Sequence, residues 1–258
     1  VGNSALGANT TAIKNTALGY RALAANTTGH RNVAAGTDAL LSNTTGAYNA
    51  AFGQDSMGLN TTGVNNTGVG RGVGYTNTTG SNNTAVGMNA LYYNSTSNDN
   101  TAVGYWALNA NTGTSNTGIG VSALVANTTA SYNTAVGWHA GKALTTGGSN
   151  VIVGSFAGDA MTTGDASTII GSQAGGSITT GKNSIAIGYN ALTNVTTSSN
   201  NVAVGREALE NTTSQDGTAV GSWALHSNTT GQFNVGVGAS ALTANTTGSY
   251  NTAIGWHA

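Results

Sequence analysis

Residues of the kinds that do chemistry are thinly scattered in this chain. The closest approach to a phosphate cradle is Gly176-Ser177-Ile178-Thr179-Thr180-Gly181-Lys182. A phosphate-binding loop follows its lysine with Ser or Thr for the metal, and then with a helix. Here Asn183 follows, and then the β-type run Ile185-Ala186-Ile187. The segment reads as a turn. Gly68, Gly70, Gly72 and Gly74 alternate in the chain, but no helical pattern follows to make a dinucleotide site of them. The histidines are His30, His139, His226 and His257, and none has a second His or a carboxylate at metal-ligand spacing in its own repeat. They read as surface residues. Ser and Thr are plentiful, yet no Ser-His-acid set stands out. The reading assigns no catalytic, cofactor-binding or metal-binding residue and predicts that the chain is not an enzyme.

Asn-x-Thr sequons such as Asn26-Thr27-Thr28 recur through the chain. Glycans on neighbouring strands about 5 Å apart would collide, so these residues read as structural. The double Thr runs, Thr27-Thr28 through Thr78-Thr79, raise an ice-binding face as a third functional reading. A flat Thr-x-Thr array would suit ice better, and adjacent Thr in a corner more often satisfies turn carbonyls. Aromatics remain. They cluster at the two positions after a recurrent glycine, as in Tyr105-Trp106 and Trp138-His139. Exposed rings stack on the faces of sugars, although packing on a neighbouring repeat is their commoner role. The candidate glycan-contact residues are Tyr132 with Trp138, and Tyr250 with Trp256.

What positions these residues is a repeat. A glycine closing a run such as Asn-Thr-Ala-Val-Gly recurs every 17 residues, with steps of 16 only at Gly104 to Gly120 and Gly205 to Gly221. A short fixed period means one structural unit stacked on copies of itself. Residues 117–140 also resemble residues 235–258, an offset of 118 residues or seven repeats. This reads as tandem duplication of a seven-repeat block.

Composition fits. With seven basic and eight acidic residues, the chain has no basic patch for phosphates, so nucleic acid is not an expected partner. There is no Cys and no Pro, hence no disulfide framework and no gap in backbone donors between stacked strands. No signal peptide or membrane span is visible, and no membrane insertion is expected in this region. The chain starts and stops inside repeats, and the reading takes it as a fragment of a longer fibrous protein.

The unit runs Asn-Thr-Ala-Val-Gly-x-x-Ala-Leu-x-x-Asn-Thr-Thr-Gly-x-x. Short β-type runs between Gly/Asn/Thr turns predict an all-β fold. The expected architecture is a parallel β-solenoid (β-roll or β-helix) of about 15 coils, continuous over residues 1–258, near 70 Å long at roughly 4.8 Å per coil. The residue before each glycine is apolar (Val69, Val86, Val103, Val136) and is assigned to the core. The residue before that is small (Ala85, Ala102, Ala135; Ile152 and Ile169 are exceptions) and is assigned to a close contact with a neighbouring chain. An Ala row and a Leu row after the glycine (Ala107, Leu108) are assigned inward. So is an Asn ladder, Asn9 to Asn127, resuming at Asn211, Asn228 and Asn245. Between these stand Leu144, Met161, Ile178 and Val195, three of them in the coils where the Leu row becomes Gly141, Gly158 and Gly175. A coupled repacking of one corner is expected there.

Asn183-Ser184-Ile185-Ala186-Ile187-Gly188 and the NTAVG runs resemble the head repeats of trimeric autotransporter adhesins of the YadA type. The longer NTAVGY-x-AL-x-x-NTTG form is similar to repeats of phage tail fibres and related bacterial surface proteins. The resemblance implies a homotrimer of β-rolls, with coils here about three residues longer than in adhesin heads. It implies an extracellular setting, on a cell surface or virion, and the chain itself as principal partner. The expected function is therefore the structural repeat region of an extracellular fibre, the shaft or head supporting attachment. The alternative is a bacterial adhesin whose coil surface binds glycan, matrix or a receptor.

Overall fold

The structure of residues 1–258 is a computed structural model. It is an all-β parallel solenoid with no helix. Two compact units divide it, Val1–Ala130 and Ser131–Ala258. The first holds β1 (Thr16–Leu18), β2 (Val33–Ala35), β3 (Ala50–Phe52), β4 (Thr67–Val69), β5 (Thr84–Val86), β6 (Thr101–Val103) and β7 (Thr117–Ile119). The second holds β8 (Thr134–Val136), β9 (Val151–Val153), β10 (Thr168–Ile170), β11 (Ile185–Ile187), β12 (Val202–Val204), β13 (Thr218–Val220), β14 (Val235–Val237) and β15 (Thr252–Ile254). Within each unit consecutive strands pair in parallel, each residue on its equivalent one repeat away, as Ala85 on Ala102 or Ile169 on Ala186.

The recurrent glycine ends every strand for a steric reason. Gly104 has φ +133, where L side chains are rarely found, and a Cβ there would lie 2.5 Å from the carbonyl oxygen of Gly120 in the next coil. Beyond it the chain folds through short turns. In the coil after Gly19, the amides of Ala22, Ala24 and Asn26 bond to the carbonyls of Gly19, Arg21 and Leu23. Arg21 and Leu23 have φ of 51° and 53°, and the same two positions are left-handed in the other coils. Left-handed backbone costs an ordinary residue about 1 kcal/mol or more. The Leu at the second position recovers this by burial, since Leu23, Leu40, Leu91 and Leu108 are all fully enclosed.

The interior differs from expectation first in the strand. The Ala and Leu rows after the glycine are buried as expected, but within the strand the parity is reversed. The small column points into the coil: Ala34, Ala51, Ala102 and Ala135 have no exposed surface. The column before the glycine points out, with Leu18 57%, Val69 40% and Ile119 38% exposed. Val103 is therefore not a core residue, and Ala85, Ala102 and Ala135 are not at a contact between chains. The cause is width. A 17-residue coil must also enclose the Ala, the Leu and the amide of its other sides, and beside a Leu there is room in the strand only for Ala or Gly.

The exceptions show the same limit. Ile152 and Ile169 replace the inward Ala and are fully buried. A Cβ on Gly158 would already touch the Cδ1 of Ile169 at 3.3 Å, and one on Gly175 would meet the Cδ1 of Ile178 at 2.9 Å. Leu to Gly, Ala to Ile and Asn to aliphatic are thus one exchange of volume across three inward positions.

Polar groups enter the core as amide ladders. Each Nδ2 donates to the Oδ1 of the equivalent residue one coil back, Asn43 to Asn26 and Asn60 to Asn43, both at 2.8 Å. Each also donates to the glycine carbonyl of its own corner, as Asn43 to Gly46 at 2.9 Å. The ladder does not return at Asn211. Fully buried Thr212, not Asn211, occupies the inward position, and Asn211 instead accepts from the exposed amide of Asn194. The one-residue deletion before Gly221 moves the Asn off the inward site. A second ladder, formed by the Asn that opens each NTAVG run, was not singled out from sequence. Asn49 Oδ1 accepts the backbone N–H of Asn66 at 2.9 Å, and Asn49 Nδ2 donates to the carbonyl of Gly63 at 2.8 Å.

Two substitutions test this packing by chemical denaturation. Gly104→Ala should cost about 3 kcal/mol or more, because left-handed strain and a backbone clash act together. Ile169→Ala should cost about 2–4 kcal/mol, since flanking glycines cannot refill the space. A loss below 1 kcal/mol in either case would contradict the assigned interior.

Candidate functional site

Three surface features emerge from these coils. The first is the outward face of the sheet. Two columns run along it, one ending each strand (Val86, Val103, Ile119; Val136, Val153, Ile170) and one beginning it (Thr84, Thr101, Thr117; Thr134, Val151, Thr168). Because each strand pairs in register with the next, each column carries one side chain per step of about 4.8 Å. The outer column is almost wholly aliphatic, and no charged residue lies in any strand.

The second is an aromatic groove in the first unit, of about 590 Å³. Tyr75 and Tyr92 hold equivalent positions in adjacent coils and stack at 5.4 Å between centroids, 23° between planes. Tyr93 meets Tyr92 edge-on at 4.8 Å. Trp106 stacks on Tyr105 at 5.2 Å and lines the groove, with Asp55, Arg71, Asn89 and Asn109 among the polar lining. Glycines make room for the rings. A Cβ on Gly58 would lie 3.0 Å from the Tyr75 ring, and one on Gly72 3.5 Å from that of Tyr92. Burial, with Tyr75, Tyr93 and Asp55 nearby, holds the Tyr92 hydroxyl above its usual pKa.

The third is a charged cluster in the second unit. His226 Nε2 lies 2.9 Å from Glu210 and 3.9 Å from Glu207. The three potential ligand atoms fall within 4.8 Å of one another. Adjacent coils bring them together, so the pairing was invisible when each repeat was read alone. Glu207 is already engaged on both oxygens, accepting from the Trp223 indole N–H and from Arg206 Nε. The Glu207 oxygens are thus committed within the cluster, and Glu210 faces His226. The Trp223 hydrogen bond, then Arg206, hold the Glu207 carboxyl below its ordinary pKa.

The aromatics singled out from sequence lie elsewhere. Tyr132, Trp138, Tyr250 and Trp256 are all exposed. Tyr132 precedes β8 and Trp138 follows it, as Tyr250 and Trp256 do about β15. Trp138 packs on Phe156 at 4.6 Å, and Tyr250 stacks on Phe233 at 5.1 Å. The first Thr of each corner pair spends its hydroxyl on the coil ahead, as Thr27 Oγ1 donating to the Thr44 carbonyl at 3.1 Å and Thr44 Oγ1 to that of Thr61 at 3.2 Å. The second Thr is exposed in every such pair and the first in some, as at Thr128-Thr129 and Thr229-Thr230, but the exposed residues are neighbours in a turn and form no Thr-x-Thr array.

No protein-family profile, curated protein or solved structure matches this chain. No helix is long and apolar enough to cross a membrane.

The charged cluster yields a pH test. A carboxylate with a depressed folded pKa contributes stability that is complete above its unfolded pKa and is lost as pH falls through the folded one. The Glu207 carboxyl, followed by carbon NMR, should stay ionised through the ordinary glutamate range and titrate only at lower pH. Glu207→Gln should remove that transition. A midpoint at or above the ordinary value would show that the indole bond is not made.

Proposed function

We propose that this chain is the structural repeat region of an extracellular fibre, on a cell surface or virion, whose copies associate as homotrimers. One observation carries the reading: the outward face of the sheet is a charge-free aliphatic column repeated in both units. An unbroken apolar stripe is unusual on a free monomer and marks a contact surface. The contact is not the small Ala row, which fills the coil interior, but the Val and Ile column on the other side of the same strands. Identical residues at equal spacing suit symmetric copies laid side by side in register. The remaining polar groups support a scaffold rather than a reaction, since the buried amides are committed to neighbouring coils. The resemblance of the NTAVG runs to surface-fibre repeats gives the setting.

A second reading draws on the same face. Thr begins β1, β4 to β8, β10, β13 and β15, so outward hydroxyls and methyl groups alternate on a regular lattice, an arrangement suited to ordering water as ice. In that reading the face stays open in a monomer.

Sedimentation and native mass measurement separate the two. A trimer is expected, and Val86→Asp with Val103→Asp should convert it to monomer. Each Asp should cost the isolated coils only about 1 kcal/mol, the span of strand propensities, because these side chains are not in the core. A wild-type monomer would overturn the fibre reading, and thermal hysteresis from that monomer would establish the second. A variant that stayed trimeric would place the contact on another face.

A further inference from the structure

We propose that the aromatic groove of the first unit is a binding site for a neutral saccharide chain, with Tyr93 and Trp106 as its stacking platforms. The repeat supplies its own control. At the position of Tyr75 and Tyr92, other coils carry Ala24, Leu41, Val125, Lys142 and Asp159, and at the position of Tyr93 they carry Ala25, Ser42, Ala110 and Ala126. The scaffold therefore does not require rings at these places. Three of the nine tyrosines and one of the four tryptophans line this one groove, and the coil architecture gives no reason for that concentration.

The chemistry of the lining selects the ligand. Tyr93 is 55% and Trp106 42% exposed, so both offer ring faces to a ligand, while the Tyr75–Tyr92 stack forms a half-buried wall. Around the rings stand a carboxylate at Asp55, a guanidinium at Arg71 and an amide at Asn89. A pyranose has an apolar C–H face and an edge of hydroxyls that both donate and accept, which is the complement of aromatic planes rimmed by polar groups. One cation and one carboxylate sum to no net charge. That disfavours nucleic acid, which needs several cations against its phosphates, and favours a neutral sugar over an acidic one. At about 590 Å³ the groove falls within the ~300–1,000 Å³ of small-molecule sites, with space for more than one ring. Coils advance by about 4.8 Å, close to the length of a pyranose unit, so adjacent coils can address successive sugars.

The test titrates the full chain with cellohexaose, maltohexaose and laminarihexaose, with a heparin hexasaccharide as charged comparison. Binding is read by saturation-transfer NMR and by aromatic fluorescence. At least one neutral hexasaccharide is expected to bind with submillimolar affinity, with transfer to its C–H protons. Trp106→Ala and Tyr93→Ala should each weaken binding about tenfold or more, equivalent to about 1.4 kcal/mol. Tyr132→Ala and Trp256→Ala, in other coils, should leave it unchanged. Circular dichroism melts check that the variants stay folded, as expected for exposed side chains. The proposal is overturned if none of the three neutral sugars binds below 10 mM (about 2.7 kcal/mol of standard free energy), if binding survives the Trp106→Ala/Tyr93→Ala double variant, or if the heparin fragment binds preferentially. Binding is scored apart from oligomeric state, so its failure would leave the fibre reading standing.

Discussion

No coil of this chain can satisfy its polar interior by itself. The Nδ2 of Asn60 needs the Oδ1 of Asn43, and the N–H of Asn66 needs the Oδ1 of Asn49. Backbone amides look both ways, Thr84 N–H to the Asn100 carbonyl of the coil ahead and Gly87 N–H to the Val69 carbonyl of the coil behind, and corner hydroxyls look to the carbonyls of the coil ahead. A buried amide without its partner forfeits about 1–3 kcal/mol, so the fold exists only as a stack. The anchor glycine follows from the same demand. Coils can hydrogen-bond at strand spacing only if they approach that closely at the corner too, and there any Cβ would meet the next carbonyl.

The second constraint is the width of the coil. It separates the two apolar columns of the strand by size, with Ala or Gly inside and Val, Ile or Leu outside. This explains which parts of the structure were legible in the sequence. The Ala, Leu and Asn rows after the glycine could be assigned inward because each differs sharply from the variable residues beside it. The strand parity could not, because both columns are apolar and hydropathy does not distinguish the inside of a narrow coil from a face that awaits a partner. Volume could have done so: Ile152 and Ile169 coincide with Gly158 and Gly175, and that trade is possible only if all of them share one interior. Thr212 was missed because a fixed repeat count steps over a deletion.

The surface was less legible than the core, for a geometric reason. Many surface side chains meet along the solenoid axis, between residues about one repeat apart in sequence. Tyr75 finds Tyr92 in this way, and Glu210 finds His226. Trp138 packs on Phe156 by the same route. Core rows and surface clusters thus obey one rule of adjacency, but only the core rows repeat often enough to be noticed without coordinates.

The trade between amide and aliphatic interiors bears on how such a chain can lengthen. Coils with an Asn core and coils with an aliphatic core are each content among their own kind. The Asn run that ends at Asn127 leaves a hydrogen-bonding site stranded, since Asn127 Oδ1 is buried with no partner. Such an end carries a fixed penalty however many coils precede it. Unequal exchange between gene copies is therefore tolerated best when its breakpoints fall within a run of one kind, adding coils without adding junctions. Selection on stability then acts on the number of boundaries rather than on length, and a fibre of this design can be extended by recombination while its weakest points stay few.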